Sequence, residues 1–171
     1  MKTAILVGTA REGRKTGLVA EAVEEEFSKH HETQVFDLKE REVPTMRKRL
    51  SHDENPPEDI EKFSEMIEWC DILTIVTPEY NHSFPGALKN CLDYLYEEYK
   101  GKPFSYVTVS AGGFGGVRSQ SHLHDVTLAL NGRPGPSLQV SNVNDHFSRE
   151  NVSEQYRDRI SSFRQSCEDF I

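Results

Sequence analysis

The sequence is short of cysteine, of basic charge and of long apolar runs. Its three cysteines, Cys70, Cys91 and Cys167, are an odd number, widely spaced and without a CxxC pair. That excludes a disulfide framework and a cysteine-based zinc site, and points to a reducing, cytoplasmic setting. Cys91 falls on a helical apolar stripe and reads as core rather than as a nucleophile. With 20 Lys and Arg against 28 Asp and Glu, the net charge is −8. No general basic face is available for nucleic acid or an anionic membrane, although a local basic pocket for a phosphate is compatible with this charge. No stretch approaches the roughly 18 apolar residues of a membrane helix. The opening run Ala4-Ile5-Leu6-Val7 is too short for a secretory h-region.

What is present is alternation. At 171 residues the chain fits one domain, spanning 1–171. Thr3–Val7, Thr33–Leu38, Ile72–Thr77, Phe104–Val109 and Leu138–Val140 read as strands, the first and third rich in residues suited to burial on both faces. Between them, apolar residues recur at helical spacing: Leu18, Val19, Ala22, Val23 and Phe27; then Ile60, Phe63, Met66, Ile67 and Cys70; then Leu88, Cys91, Leu92, Leu95 and Tyr99. A helix is expected near Gly116–Leu130, and Val152, Tyr156, Ile160, Phe163 and Cys167 predict a closing one. Pro57 suits a first helical position, and Glu58, Asp59 and Glu61 suit the positive end of its dipole. Residues 39–56 read as a surface loop, with Arg47-Lys48-Arg49 as a solvated charge run.

The order βαβαβαβαβα predicts a parallel sheet covered on both faces, with strand order 2-1-3-4-5. Ligands in such sheets bind beyond the carboxyl ends of the strands, and three loops of unusual composition fall there. The first, Gly8-Thr9-Ala10-Arg11-Glu12-Gly13-Arg14-Lys15-Thr16-Gly17, opens a helix, where free amides bind anions. Its hydroxyls and guanidinium groups make it a phosphate cradle. It is not a P-loop, because Arg14 stands between Gly13 and Lys15, and no acidic residue ends strand three. The second, Thr77-Pro78-Glu79-Tyr80-Asn81-His82-Ser83-Phe84-Pro85-Gly86, offers a flat apolar face at Tyr80 and polar edges around it, which suits a planar heteroaromatic ring. The third, Ser110-Ala111-Gly112-Gly113-Phe114-Gly115-Gly116, lets a ligand approach the backbone closely. The seven histidines include no set with metal-ligand spacing; His122 and His124 would face different directions on a helix.

Gly8-Thr9-x-Arg11-x-Gly13-Arg14, then Pro78-Glu79-Tyr80-Asn81-x-Ser83-x-Pro85-Gly86-x-x-Lys89-Asn90-x-x-Asp93, then Ser110-x-Gly112-x-x-Gly115-Gly116-x-Arg118 resemble the NAD(P)H-dependent FMN reductases, a flavodoxin-like group that includes chromate, quinone and azo reductases. The resemblance covers about residues 1–140. It implies a flavodoxin-like three-layer α/β sandwich and an FMN-dependent NAD(P)H:acceptor oxidoreductase, with NADPH or NADH as co-substrate. It implies that Thr9, Arg11, Arg14 and Thr16 hold the FMN phosphate. Pro78, Glu79, Tyr80 and Asn81 would line the isoalloxazine ring, and Ser110, Gly112, Gly113 and Gly115 its other edge. The expected acceptor is a small molecule: a quinone, a free flavin, an azo compound or a metal oxyanion. No catalytic side chain is assigned, since the flavin carries the redox chemistry, and no metal is implied. Thr9 stands where the family usually has Ser, His82 departs from its pattern, and residues 39–56 match nothing specific in it. A flavodoxin-like electron carrier or an FMN-binding regulatory module are the alternatives. The helix after Pro85, with Leu88, Leu92, Leu95, Tyr96 and Tyr99 plus Tyr94 on another side, carries more apolar surface than one sheet face needs. Together with the pairing habit of the family, that predicts a homodimer or homotetramer.

Overall fold

A computed structural model describes all 171 residues. Its five strands are β1 (Lys2–Val7), β2 (Glu32–Asp37), β3 (Ile72–Pro78), β4 (Pro103–Val109) and β5 (Arg133–Val140). They form one sheet in the order β2-β1-β3-β4-β5, and every neighbouring pair is parallel. Because side chains alternate along a strand, β1 sends Ala4 and Leu6 into one core and Ile5 and Val7 into the other. Helices α2 (Glu58–Trp69), α3 (Gly86–Asp93) and α4 (Val117–Ala129) cover the first face through Ile60, Phe63, Leu88, Leu92 and Leu123. Helices α1 (Thr16–Ser28) and, after the short α5 (Val143–His146), α6 (Glu154–Phe170) cover the second through Val19, Val23, Phe27, Ile160 and Phe163. This is the flavodoxin-like three-layer α/β sandwich. No helix is long and apolar enough to cross a membrane.

Several boundaries differ from the sequence expectation for identifiable reasons. β5 starts at Arg133, not Leu138, and runs through Pro134 and Pro136. As the outer strand it leaves one edge unpaired, where proline's missing N–H is tolerated, and the ladder absorbs an irregularity between Phe104 and Tyr106. β3 extends one residue to include Pro78, paired with Val109. Val152 lies outside α6 and instead bridges Phe147.

The apolar excess expected on α3 is not a surface feature. Leu88, Leu92, Tyr94, Leu95 and Tyr99 are all buried in the first core. The chain leaves helical geometry after Asp93 and folds a 3₁₀ turn at Glu97–Tyr99, which tucks the aromatic rings inward. The 39–56 segment covers the same region. Val43, Met46 and Leu50 pack on the core. Asn90 ties the segment down by accepting from the Met46 amide at 2.8 Å and donating to the Pro44 carbonyl at 2.7 Å. The Lys-Asn pair of the motif therefore serves loop anchorage at Asn90, while Lys89 makes an ion pair with Asp93.

Candidate flavin site

Strand order reverses between β1 and β3, so the loops that follow them open side by side. The loop after β1 begins at Gly8, where an added Cβ would lie 2.8 Å from the Leu88 Cδ2 and 3.0 Å from the Thr77 hydroxyl oxygen. It leads into α1, whose first turn carries no acidic residue and no side-chain cap. The amides of Glu12 through Gly17 donate to no protein acceptor; the first helical donors, Leu18 and Val19, reach back to the Lys15 carbonyl. A row of free N–H groups at the positive end of a helix dipole binds anions.

The two arginines of this loop face different partners. The Arg14 guanidinium has 9 % of its side-chain surface exposed, pairs with Asp37 at the end of β2 and donates to the Thr9 carbonyl. It braces the loop against its neighbouring strand. Arg11 is exposed and lies over the Tyr80 ring, 5.4 Å from its centroid. Thr9 is buried; its hydroxyl contacts the Tyr80 hydroxyl at 2.9 Å and accepts from the Arg11 amide at 3.3 Å. Thr16 is buried at the first residue of α1. A groove of about 780 Å³ beside the loop is lined by Arg14, Lys15, Asp37, Lys39 and Arg149 among others.

The loop after β3 makes a tight turn. The Tyr80 amide donates to the Ser83 carbonyl and the Ser83 amide to the Tyr80 carbonyl. Asn81 and His82 between them have φ of 49° and 67°, the left-handed pair that defines a type I′ turn. The Glu79 carboxylate lies between this turn and α4: Oε1 is 3.7 Å from His82 Nδ1 in the turn, and Oε2 accepts from the Arg118 amide at 3.1 Å and the Ser119 amide at 3.4 Å. It thereby caps a helix whose own N-cap residue, Gly116, has no side chain to do so. Ser119 Oγ donates to the Pro78 carbonyl at 3.3 Å.

In the third loop, Gly112 and Gly113 are exposed, and an added Cβ at either would meet nothing within 4 Å. Ser110 Oγ turns back to the Gly112 carbonyl. Gly115 has φ +61°, and a Cβ there would come within 2.6 Å of the Gln139 Cβ. It serves close packing of the loop against β5, and the Thr108 hydroxyl donates to its carbonyl at 2.7 Å. The segment after β5 secures the other side: the Asn142 amide donates to Gly112 and the Val143 amide to Ser110.

The structure thus brings Thr9, Arg11 and Tyr80 into direct contact and sets Asn81, Ser110, Gly112 and Gly113 on loops at the same sheet edge. Arg14, Glu79 and Gly115 have protein partners that hold those loops in place. Asp37, Gln139 and Asn142 are supporting residues that sequence reasoning missed. Only Asp37 carried a signal, as an acidic residue closing a strand next to a basic loop.

A flavodoxin-like sheet with a phosphate-type helix N-terminus and two further open loops at its switch point defines a nucleotide-cofactor class of protein. The profile of the NADPH-dependent FMN reductase family matches residues 1–147, and the chain belongs to that family. It is 32 % identical to the quinone reductase of Escherichia coli over 76 % of this chain and 71 % of that protein. It is 33 % identical to the NAD(P)H-dependent FMN reductase of Saccharomyces cerevisiae over 76 % of this chain and 75 % of that one. Among solved structures it is similar to the flavoenzyme NAD(P)H:(acceptor) oxidoreductase of Paracoccus denitrificans, with TM-score 0.79, 21 % identity and coverage of 98 % and 97 % of the two chains.

Proposed function

We propose that the chain is an FMN-dependent NAD(P)H:acceptor oxidoreductase that passes electrons to a small organic acceptor such as a quinone or azo compound. The observation that carries this is the meeting of the first two loops: the Arg11 guanidinium, in the loop whose Glu12–Gly17 amides are free, lies over the Tyr80 ring, and Tyr80 is bonded to Thr9. That donor set fits the phosphate and ring of a flavin mononucleotide. When bound, FMN accepts a hydride from the nicotinamide and returns the electrons to the acceptor.

The chain's own residues do the rest. The α1 amides and Arg11 hold the phosphate, with Thr9 and Thr16 at the loop's two ends. Arg14, through Asp37, keeps the loop in shape. Pro78, Tyr80 and Asn81 line the ring, and Glu79 fixes that loop to α4. Ser110, Gly112 and Gly113 border the opposite edge, where the missing side chains leave room, and Gly115 seats their loop on β5. The whole of 1–171 acts as one FMN-binding domain. The buried, unpaired state of all three cysteines supports a cytoplasmic setting.

An assembly of two or four copies is part of this reading, with α4 rather than α3 as its contact. Phe114 (77 % exposed), Val117 and Leu128 (61 % exposed) are three of the four exposed large apolar side chains, and Val117 and Leu128 are carried by that helix. The test of function is titration of the apoprotein with FMN, followed by quenching of flavin fluorescence. Stoichiometric quenching followed by steady NAD(P)H oxidation with a quinone supports the reading; FMN left unbound at micromolar concentration contradicts it.

A further inference from the structure

We propose that the Tyr80 hydroxyl is a positioning group for the flavin phosphate, acting through Thr9, an assignment that rests on the flavin-reductase reading above. The sequence assigns Tyr80 to the ring by its flat face; its polar end lies elsewhere. The hydroxyl is 2.9 Å from Thr9 Oγ1, the only side-chain hydrogen bond between the loop after β1 and the loop after β3. Both partners are held in place. Thr9 is 1 % exposed, its Oγ1 accepts from the Arg11 amide at 3.3 Å, and its branched Cβ restricts χ1. Tyr80 is half-buried, with its amide and its carbonyl both bonded to Ser83. The Arg11 guanidinium lies over its ring, 5.4 Å from the centroid.

Counting donors gives this contact a direction. A hydroxyl has one proton to give and two lone pairs to fill. On Thr9 the Arg11 amide fills one lone pair. The contact with Tyr80 permits donation either way. If Thr9 donates to Tyr80, it has no proton left for an anion. If Tyr80 donates to Thr9, the second lone pair is filled and the threonine proton stays free. A phosphate oxygen only accepts, so a bound phosphate selects the second arrangement. Donation by Tyr80 also polarises the threonine hydroxyl and makes it the stronger donor. No covalent bond changes; the relay is one of hydrogen bonds. Two groups on the phosphate side, the Thr9 hydroxyl and the Arg11 guanidinium, are thus set by one residue of the neighbouring loop. Riboflavin, which has no phosphate, gains nothing from the arrangement.

The test is a set of fluorescence titrations of the apoprotein with FMN and with riboflavin. Tyr80→Phe removes the hydroxyl and keeps an aromatic face under Arg11. It should weaken FMN about 10-fold and leave riboflavin within about twofold. Inorganic phosphate, competing against FMN, should lose affinity for Tyr80→Phe by about the same factor. Thr9→Val should weaken FMN at least as much, and adding Tyr80→Phe to it should cost nothing further. Thr9→Ser, which keeps the hydroxyl, should keep the sensitivity to Tyr80→Phe. An unchanged FMN affinity in Tyr80→Phe, an equal loss of FMN and riboflavin, or a full second loss in the double variant with Thr9→Val overturns the assignment. A wild-type protein that binds FMN no better than riboflavin overturns instead the phosphate site on which it rests.

Discussion

At the residue scale, Arg11 and Arg14 differ in their partners, and the proposed function gives the phosphate to Arg11 and the bracing of the loop to Arg14. Arg11 is exposed beside free amides, whereas Arg14 is occupied by Asp37 and the Thr9 carbonyl. A charge-assisted hydrogen bond contributes about 1.5–3 kcal/mol, and about 1.4 kcal/mol is a tenfold change in affinity. Arg11→Ala should therefore weaken FMN about 10- to 100-fold and leave riboflavin, which has no phosphate, nearly unchanged. Arg14→Ala leaves the partly buried Asp37 carboxylate with the Lys39 amide on Oδ1 but without its charged partner on Oδ2. It should lower the stability of the apoprotein by about 1–3 kcal/mol, since an unsatisfied buried group costs on that order. Paired fluorescence titrations and urea melts check both. An equal loss of FMN and riboflavin affinity in Arg11→Ala would remove that residue from the phosphate site. Sequence alone does not distinguish the two arginines, because what differs between them is a partner contributed by β2, remote in the chain.

At the scale of elements, α1 and α6 meet around a half-buried charge cluster away from the three loops. His31 Nε2 lies 2.9 Å from Glu168 Oε1, and Arg164 bridges Glu168 and Glu26. Burial pushes the His31 imidazole below its ordinary value, only partly opposed by Glu168. Burial raises the Glu26 and Glu168 carboxyls, but hydrogen bonds from Lys29, Ser161 and Arg164 to Glu26, and from Arg164 and His31 to Glu168, leave both lowered. All three groups bind fewer protons when folded than when unfolded, so stability rises with pH. Acid should weaken the fold first as pH drops through about 6.5, where an unfolded histidine takes up its proton, and again as the two carboxylates protonate. The Tm of wild type should fall between about pH 7 and pH 5 more steeply than that of His31→Gln; parallel slopes would contradict the role of this cluster. The helices that bear it were legible from apolar spacing. The pairing was not, since His31 and Glu168 are far apart in sequence and neither belongs to a motif.

At the scale of the whole molecule, the sheet order and the convergence of three loops on one edge follow from strand–helix alternation and parallel crossovers. That is why the meeting of those loops at one sheet edge was readable before any geometry. Residues that hold the loops were less so. The Glu79 cap on α4 and the packing of Gly115 against Gln139 depend on contacts between separate segments that motif spacing does not encode. The surface was misjudged for a related reason: helical periodicity makes Leu88 through Tyr99 one apolar face, but the break after Asp93 turns those side chains inward. Phe114, Val117, Leu128 and Ile171 remain exposed, and the assembly proposed above uses the first three. Leu128→Glu should shift the protein to monomer in sedimentation velocity at micromolar concentration, with its thermal stability retained; an unchanged assembly would take α4 out of the contact.

On the proposed function, this sheet edge holds FMN where a nicotinamide can reduce it. Anaerobic addition of NADPH or NADH to the FMN-loaded protein, followed by the visible flavin absorption, measures that directly. Complete bleaching by one equivalent per bound flavin is expected, with recovery of the colour on adding a quinone. A bound flavin that stays yellow with both nicotinamides, yet bleaches with dithionite, would contradict it and leave a flavin carrier in place of a reductase.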